Sequence, residues 1–90
     1  MDERTLRALI DAGAVKRVRI VARGARFHVE FETPTSTIPA STRRGAVRAW
    51  ASLDAAARWT KNLGIGQAIV ELAHWTPAQR QLPLETRNGS

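Results

Sequence analysis

VKRVRIVARGARFHVEFE, residues 15–32, carries the clearest structural pattern in the chain, because apolar residues recur at every second position on both sides of one glycine. Two alternating runs around a glycine predict a β-hairpin with one buried and one exposed face. A two-residue loop at positions 23 and 24 would pair Ile20 with Phe27 and leave the arginines on the opposite face. The buried face is predicted to hold Val18, Ile20, Ala22, Phe27, Val29 and Phe31.

A helix is predicted on each side of this hairpin. The first helix is capped by Asp2, places Leu6, Leu9 and Ile10 on one face, and ends before Gly13. The second begins after Ser52, a preferred N-cap residue, and ends at Gly64, where a left-handed residue closes many helices. The stripe of the second helix consists of Leu53, Ala56, Ala57, Thr60 and Leu63.

The segment Gly64-Ile65-Gly66 has the glycine spacing of a dinucleotide-binding loop. In that motif the loop follows a strand and opens a helix, so that helix amides reach the pyrophosphate. Here the glycines close a helix and precede a strand predicted at residues 67–73. We therefore interpret them as a structural turn, and we expect Trp50 and Trp59 to complete the core rather than to stack on bases.

Residues 35–41 and 46–50 are predicted to form a second, weaker hairpin around the basic turn at Arg43 and Arg44. Pro39 lacks an amide proton, so the first of these strands belongs at a sheet edge. The resulting order, α-β-β-β-β-α-β, predicts an α+β fold with a largely antiparallel sheet and both helices on one face. Residues 1–82 would form one domain, with a short terminal helix begun by Pro77, and residues 83–90 a flexible tail.

The composition narrows the class of protein. The chain has 90 residues, no cysteine and a net charge of +6. The absence of cysteine excludes disulfides, thiolate nucleophiles and thiolate-bound zinc. No apolar run is long enough to span a bilayer, and acidic residues follow Met1 where a signal peptide would be basic. We therefore expect a cytoplasmic protein with no membrane partner.

Catalytic and metal chemistry are not predicted. The two histidines, His28 and His74, have no cluster of further ligands at a suitable spacing. Glu30 and Glu32 lie on one strand face, but arginines flank them, which favours ion pairing over a raised pKa. No serine, threonine or lysine has an identifiable base beside it. We predict a protein that is not an enzyme and that uses no metal and no cofactor.

Six arginines are the candidate nucleic-acid-binding residues. A guanidinium group makes bidentate hydrogen bonds to phosphate, and a strongly basic small protein attracts polyanions. A competing interpretation of the hairpin arginines is a solvated face that Glu30 and Glu32 partly neutralise. The candidates are Arg17, Arg19 and Arg26 on the open face of the hairpin, and Arg43, Arg44 and Arg48 in and after the basic turn.

Two runs resemble a known family: IDAGAVKRVRIVARGARFHVEF at residues 10–31 and STRRGAVRAWASLDAAARWTKNLGI at residues 41–65. With the short strand after them, they resemble the ParC-type partition-associated proteins of proteobacterial plasmids and integrative elements, which are unrelated to the topoisomerase subunit of that name. The resemblance spans residues 4–73 and rests on elements that specify the fold. It implies an accessory role near plasmid partition or maintenance, and it supplies no catalytic residues.

Two hypotheses of function follow. The first is a non-enzymatic basic module, an accessory in plasmid partition or maintenance, that contacts DNA or a DNA-bound partition or replication protein. The alternative is a protein-interaction or homodimerisation module that acts through its open sheet face or an edge strand and does not bind nucleic acid.

Overall fold

The computed structural model describes residues 3–76, which form two helices and one four-stranded sheet. The elements are α1 (Glu3–Asp11), β1 (Arg17–Arg23), β2 (Arg26–Glu32), β3 (Thr37–Pro39), α2 (Leu53–Asn62) and β4 (Ile69–Glu71). The sheet order is β3-β2-β1-β4, in which β4 runs parallel to β1 and the other neighbours are antiparallel. The predicted α+β class and the largely antiparallel sheet are confirmed. The cap at residue 2, the helix begun by residue 77 and the tail lie outside the described residues.

The β1–β2 hairpin has the predicted faces but a different pairing. Ile20 lies opposite Val29 rather than Phe27, so the predicted register is wrong by two residues. The loop consists of positions 24 and 25, and Gly24 takes its first position with a φ of 62°. A positive φ there suits glycine and strains arginine, which explains the shift. Because the error is an even number of residues, every side chain keeps its predicted face.

Both helices pack on the face of the sheet that carries the apolar residues. Ser52 begins α2 as predicted, since its hydroxyl accepts a hydrogen bond from the Ala55 amide at 3.1 Å. Gly64, with a φ of 96°, ends it, and the Ile65 amide donates back to the Thr60 carbonyl. The buried core consists of Leu6, Val18, Ile20, Ala22, Phe27, Val29, Phe31, Ala40, Trp50, Ala56 and Leu63.

The weaker hairpin is only partly regular. β3 is a three-residue edge strand that includes Pro39, as the sequence predicts. Residues 46–50 make isolated bridges instead of a strand, because Val47 pairs with Ser41 while Trp50 pairs with Phe27 on β2. This curved path brings the Trp50 indole into the core beside α2, where it lies 4.8 Å from the Trp59 ring between centroids.

The opposite face of the sheet carries charged side chains around one buried valine. Val21 is 7% exposed there. The alternation along β1 and β2 also places Arg17, Arg19, Arg26, His28 and Glu30 on this face, as predicted. Neither helix of residues 3–76 has the length and apolar character needed to cross a bilayer.

Candidate nucleic-acid interface

A cleft of about 500 Å³ lies between the start of α1 and the basic turn that follows β3. Arginines from three separate parts of the chain meet here, and one glutamate accompanies them. Two hydroxyl side chains contribute further polar groups to the wall. The lining residues are Glu3, Arg4, Ser41, Thr42, Arg43 and Arg48.

The basic turn is held by its own backbone. The Thr42 amide donates to the Ala46 carbonyl at 2.8 Å, and the Gly45 amide donates to the Thr42 carbonyl at 2.9 Å. Gly45 has a φ of 88°, a conformation that favours glycine. The turn therefore presents Arg43 and Arg44 at its exposed tip. Within residues 3–76 neither guanidinium group has an ion-pair or hydrogen-bond partner.

Arg48 lines the same cleft but is held by aromatic rings. Its guanidinium carbon lies 5.0 Å from the centroid of the Trp50 ring and 5.5 Å from that of the Trp59 ring. These are cation–π distances. A guanidinium nitrogen also lies 4.0 Å from a carboxylate oxygen of Glu3. Arg48 is therefore a positive charge in the cleft lining that two indole rings hold in place.

Glu3 connects the first helix to Trp59 and Arg48. The Trp59 indole Nε1 donates to its carboxylate at 3.2 Å, and Arg7 donates to the other oxygen at 3.2 Å. These two hydrogen bonds, the larger effect coming from Trp59, lower the pKa of Glu3 below its ordinary value of 4.5. The first turn of α1 is thus anchored beside α2, and Arg4 of that turn lines the same cleft as Arg43.

The arginines of the sheet face have acidic partners instead. Arg19 donates to Glu30 at 3.0 Å and to Glu71 on β4 at 3.1 Å. Arg17 lies 3.5 Å from Glu32. The Nε2 atom of His28 lies 2.8 Å from the second oxygen of Glu30, so a four-residue polar network joins three strands. This arrangement matches the competing interpretation of a partly neutralised face.

Arg26 stands apart from both groups. It lies directly opposite Arg23 at the closed end of the hairpin, and both side chains are exposed. No acidic side chain among residues 3–76 forms an ion pair with either. The pair is therefore a small like-charge site at one end of the open face.

Two participants were not identified from the sequence as members of these sites. Arg4 belongs to the cleft, but its place there depends on the hydrogen bond by which Trp59 of α2 holds Glu3, at the start of α1. Glu71 neutralises Arg19 because β4 joins the sheet in parallel beside β1. No local spacing predicts either contact. The alternation of residues 68–72 could have placed Glu71 on the open face, but it does not predict that Arg19 is the neighbour of Glu71.

The tryptophans are placed as predicted for Trp50 and Trp59. Trp50 is buried, and Trp59 packs against Phe31 at 6.1 Å between ring centroids. Trp75 is exposed at one margin, 6.3 Å from Phe27. The part of the chain that the structure describes has no group of three or more metal-ligating side chains. Among residues 3–76, no aromatic ring lines the arginine cleft.

Comparisons with family models, with curated proteins and with solved structures gave no match to this chain.

Proposed function

We propose that this protein is a non-enzymatic module that binds the phosphate backbone of DNA through its arginine cleft. One observation carries the proposal: Arg43 of the basic turn, which has no partner within residues 3–76, and Arg4 of α1 line a single cleft, and Arg44 is exposed beside Arg43. Arg43 and Arg44 would contact phosphates from the exposed tip, and Arg4 from the start of α1. Arg48 would supply a further charge that two indole rings hold in place.

The chemistry of the cleft fits phosphate oxygens. Planar guanidinium groups form bidentate hydrogen bonds with phosphate, and the Thr42 hydroxyl can donate a further one. The net charge of +6 adds a long-range attraction for a polyanion. Because the described residues that line the cleft include no aromatic ring, they offer bases no stacking platform. We therefore expect duplex DNA to bind at least as well as a single strand, with weak sequence preference.

The biological setting follows from the family resemblance alone. A module that holds the DNA backbone would suit an accessory of plasmid partition or maintenance, with a DNA-bound partition or replication protein beside it. The sheet-face arginines Arg17 and Arg19 are secondary in this proposal, because their carboxylate partners must be displaced before phosphate can bind. Arg26 is free to add a contact at the hairpin end.

A salt-dependent titration with a short DNA duplex tests the proposal. Four phosphate contacts predict that the association constant falls by about 10²-fold between about 50 and about 200 mM salt. The double variant Arg43→Gln, Arg44→Gln should bind more weakly and reduce the logarithmic salt slope by about 2.

The matched control is the double variant Arg17→Gln, Arg23→Gln, which removes two arginines from the sheet face and should change both quantities little. The absence of binding by the wild-type chain at the lower salt concentration would overturn the proposal. Equal losses from the control and the turn variant would assign binding to net charge rather than to the cleft.

A further inference from the structure

An apolar groove of about 460 Å³ runs between α2 and β4, on the helix-bearing side of the sheet. It shares no lining residue with the arginine cleft. Leu53 is 37% exposed and Val70 41% exposed, although both are large apolar side chains. Its lining includes Leu53, Ala57, Lys61, Ile65 and Val70.

The groove exists because the sheet is wider than its helical cover. α2 packs on β1 and β2, while β4 is an edge strand outside them. Ile20 on β1 is buried, but Val70, its parallel neighbour on β4, faces the groove. A helix has a diameter of about 10 Å, and one more helix beside α2 would cover β4.

The charges around the groove are positive and unpaired. Lys61 stands on its wall. Lys16 lines an adjoining cleft on the other side of residues 66–68. Within residues 3–76 neither ammonium group has an ion-pair partner. An occupant with acidic side chains would be attracted to both.

A second copy of this chain is a poor occupant. Two β4 edges paired about a two-fold axis would hold the two α2 helices about four strand spacings, or about 19 Å, apart. Packed helices lie about 8–10 Å apart, so Leu53 and Ala57 would stay uncovered. Each copy also carries a net charge of +6, which opposes association.

We infer that this groove is the docking site for an amphipathic helix of a partner protein, with an apolar stripe and an acidic flank. The stripe covers Leu53, Ala57 and Val70, and the acidic flank faces Lys61, while Lys16 of the adjoining cleft adds a longer-range attraction. This mode of recognition places a helix in a hydrophobic groove through side chains spaced three and four residues apart. The inference does not depend on DNA binding, because the groove and the arginine cleft are separate.

The test selects random peptides of about sixteen residues, enough for about four helical turns, from a phage library on the immobilised full chain. The enriched peptides should repeat apolar residues at helical spacing and carry acidic residues beside them. Binding of a synthetic enriched peptide is then measured by fluorescence anisotropy. Ala57→Arg, which fills the centre of the groove, should weaken it by about tenfold or more.

The matched control is Asn62→Arg, which adds the same charge to α2 at an exposed position that does not line the groove. It should leave peptide affinity unchanged, and circular dichroism of both variants verifies the fold. Lys61→Glu should weaken the acidic peptide and restore binding to a peptide with lysines in place of its glutamates.

Three outcomes would overturn the inference. One is a selection that enriches no peptide, or only basic ones. The second is an enriched peptide that binds Ala57→Arg and the wild-type chain equally. The third is a dimer in light scattering that Ala57→Arg dissociates, because a second copy would then occupy the groove.

Discussion

Arginines of two regions of this molecule differ in what surrounds them. Arg19, in the middle of the sheet, is 25% exposed and donates to two carboxylates on neighbouring strands. Arg43 and Arg44, at the tip of the basic turn, are exposed and have no acidic partner among residues 3–76. The same side chain thus acts as an internal bridge in one region and as a free cation in the other.

The difference arises from which residues each region brings into reach. The sheet register places Glu30 and Glu32 directly opposite Arg19 and Arg17. By contrast, the chain has no acidic residue between Glu32 and Asp54, the stretch that contains the basic turn. Availability for a phosphate therefore depends on the local supply of carboxylates more than on the number of arginines.

The largest predicted effect is on stability, from removal of the sheet bridge. Arg19→Met would leave the carboxylates of Glu30 and Glu71 facing each other without a counterion. We expect the free energy of unfolding to fall by about 2 kcal/mol, less than for a fully buried pair because the side chain is partly exposed. Urea denaturation measures the change, and DNA affinity at moderate salt should stay within about twofold.

Arg17→Met is the control, because its side chain is 59% exposed and its ion pair is long, at 3.5 Å. It should cost less than about 0.5 kcal/mol. If Arg19→Met weakened DNA binding as much as the double turn variant does, the contrast between the two regions would fail.

The fold could be predicted in large part from the sequence, because its signals are local. Alternation gave the faces of β1 and β2, and Ser52 and Gly64 gave the ends of α2. The hairpin register was missed because alternation is unchanged by a shift of two residues, and only the turn geometry at Gly24 distinguishes the two pairings.

The site was less predictable, because the residues that form it are not local in sequence. The contact between Arg19 and Glu71, and the cleft that Arg4 shares with the turn, join residues that are distant in sequence, and no spacing encodes them. Arg48 was predicted as a phosphate ligand, whereas its cation–π contacts with Trp50 and Trp59 come from the curved path of residues 46–50. Its position combines features of both regions, since it is held in place and also lines the cleft.

Arg48→Met should therefore affect stability and binding together. Methionine keeps an apolar side chain packed on the indole rings. It removes the positive charge that contacts these rings and lies near the Glu3 carboxylate. We expect a loss of about 1 kcal/mol in unfolding free energy and a measurable loss of DNA affinity. Arg48→Lys, which keeps the charge without the planar group, should recover part of each. A loss of stability alone would mean that Arg48 is a structural residue, like Arg19. A loss of DNA affinity alone would mean that it is only a phosphate ligand, like Arg43.

The like-charge pair at the hairpin end provides a smaller test. Arg23 and Arg26 lie directly opposite each other without an acidic neighbour, so Arg23→Glu replaces a repulsive cross-strand pair with an attractive one. The free energy of unfolding should rise by about 0.5 kcal/mol. Arg23→Gln, which only removes the repulsion, should give a smaller gain. A decrease in stability from Arg23→Glu would show that attraction between opposite charges on neighbouring strands does not determine stability at the hairpin end.

The smallest effect is expected in the acid dependence of stability. Hydrogen bonds from Trp59 and Arg7 lower the pKa of Glu3 below 4.5 in the folded chain. A group with a depressed folded pKa stabilises the fold above its unfolded pKa, and this contribution is lost as the pH falls through the folded value.

Glu3→Gln should accordingly lower the melting temperature slightly at neutral pH and give a shallower decrease below about pH 5, so that the two curves converge in acid. Trp59→Phe removes the indole donor, which is the largest cause of the shift, and should raise the pKa of Glu3 toward its ordinary value in an NMR titration of the carboxyl group. A Glu3 pKa that stays equally low in Trp59→Phe would mean that the arginines alone hold the carboxylate. Ion pairs would then hold the start of α1 in place, as they hold the arginines of the sheet face, and the hydrogen bond from Trp59 would not.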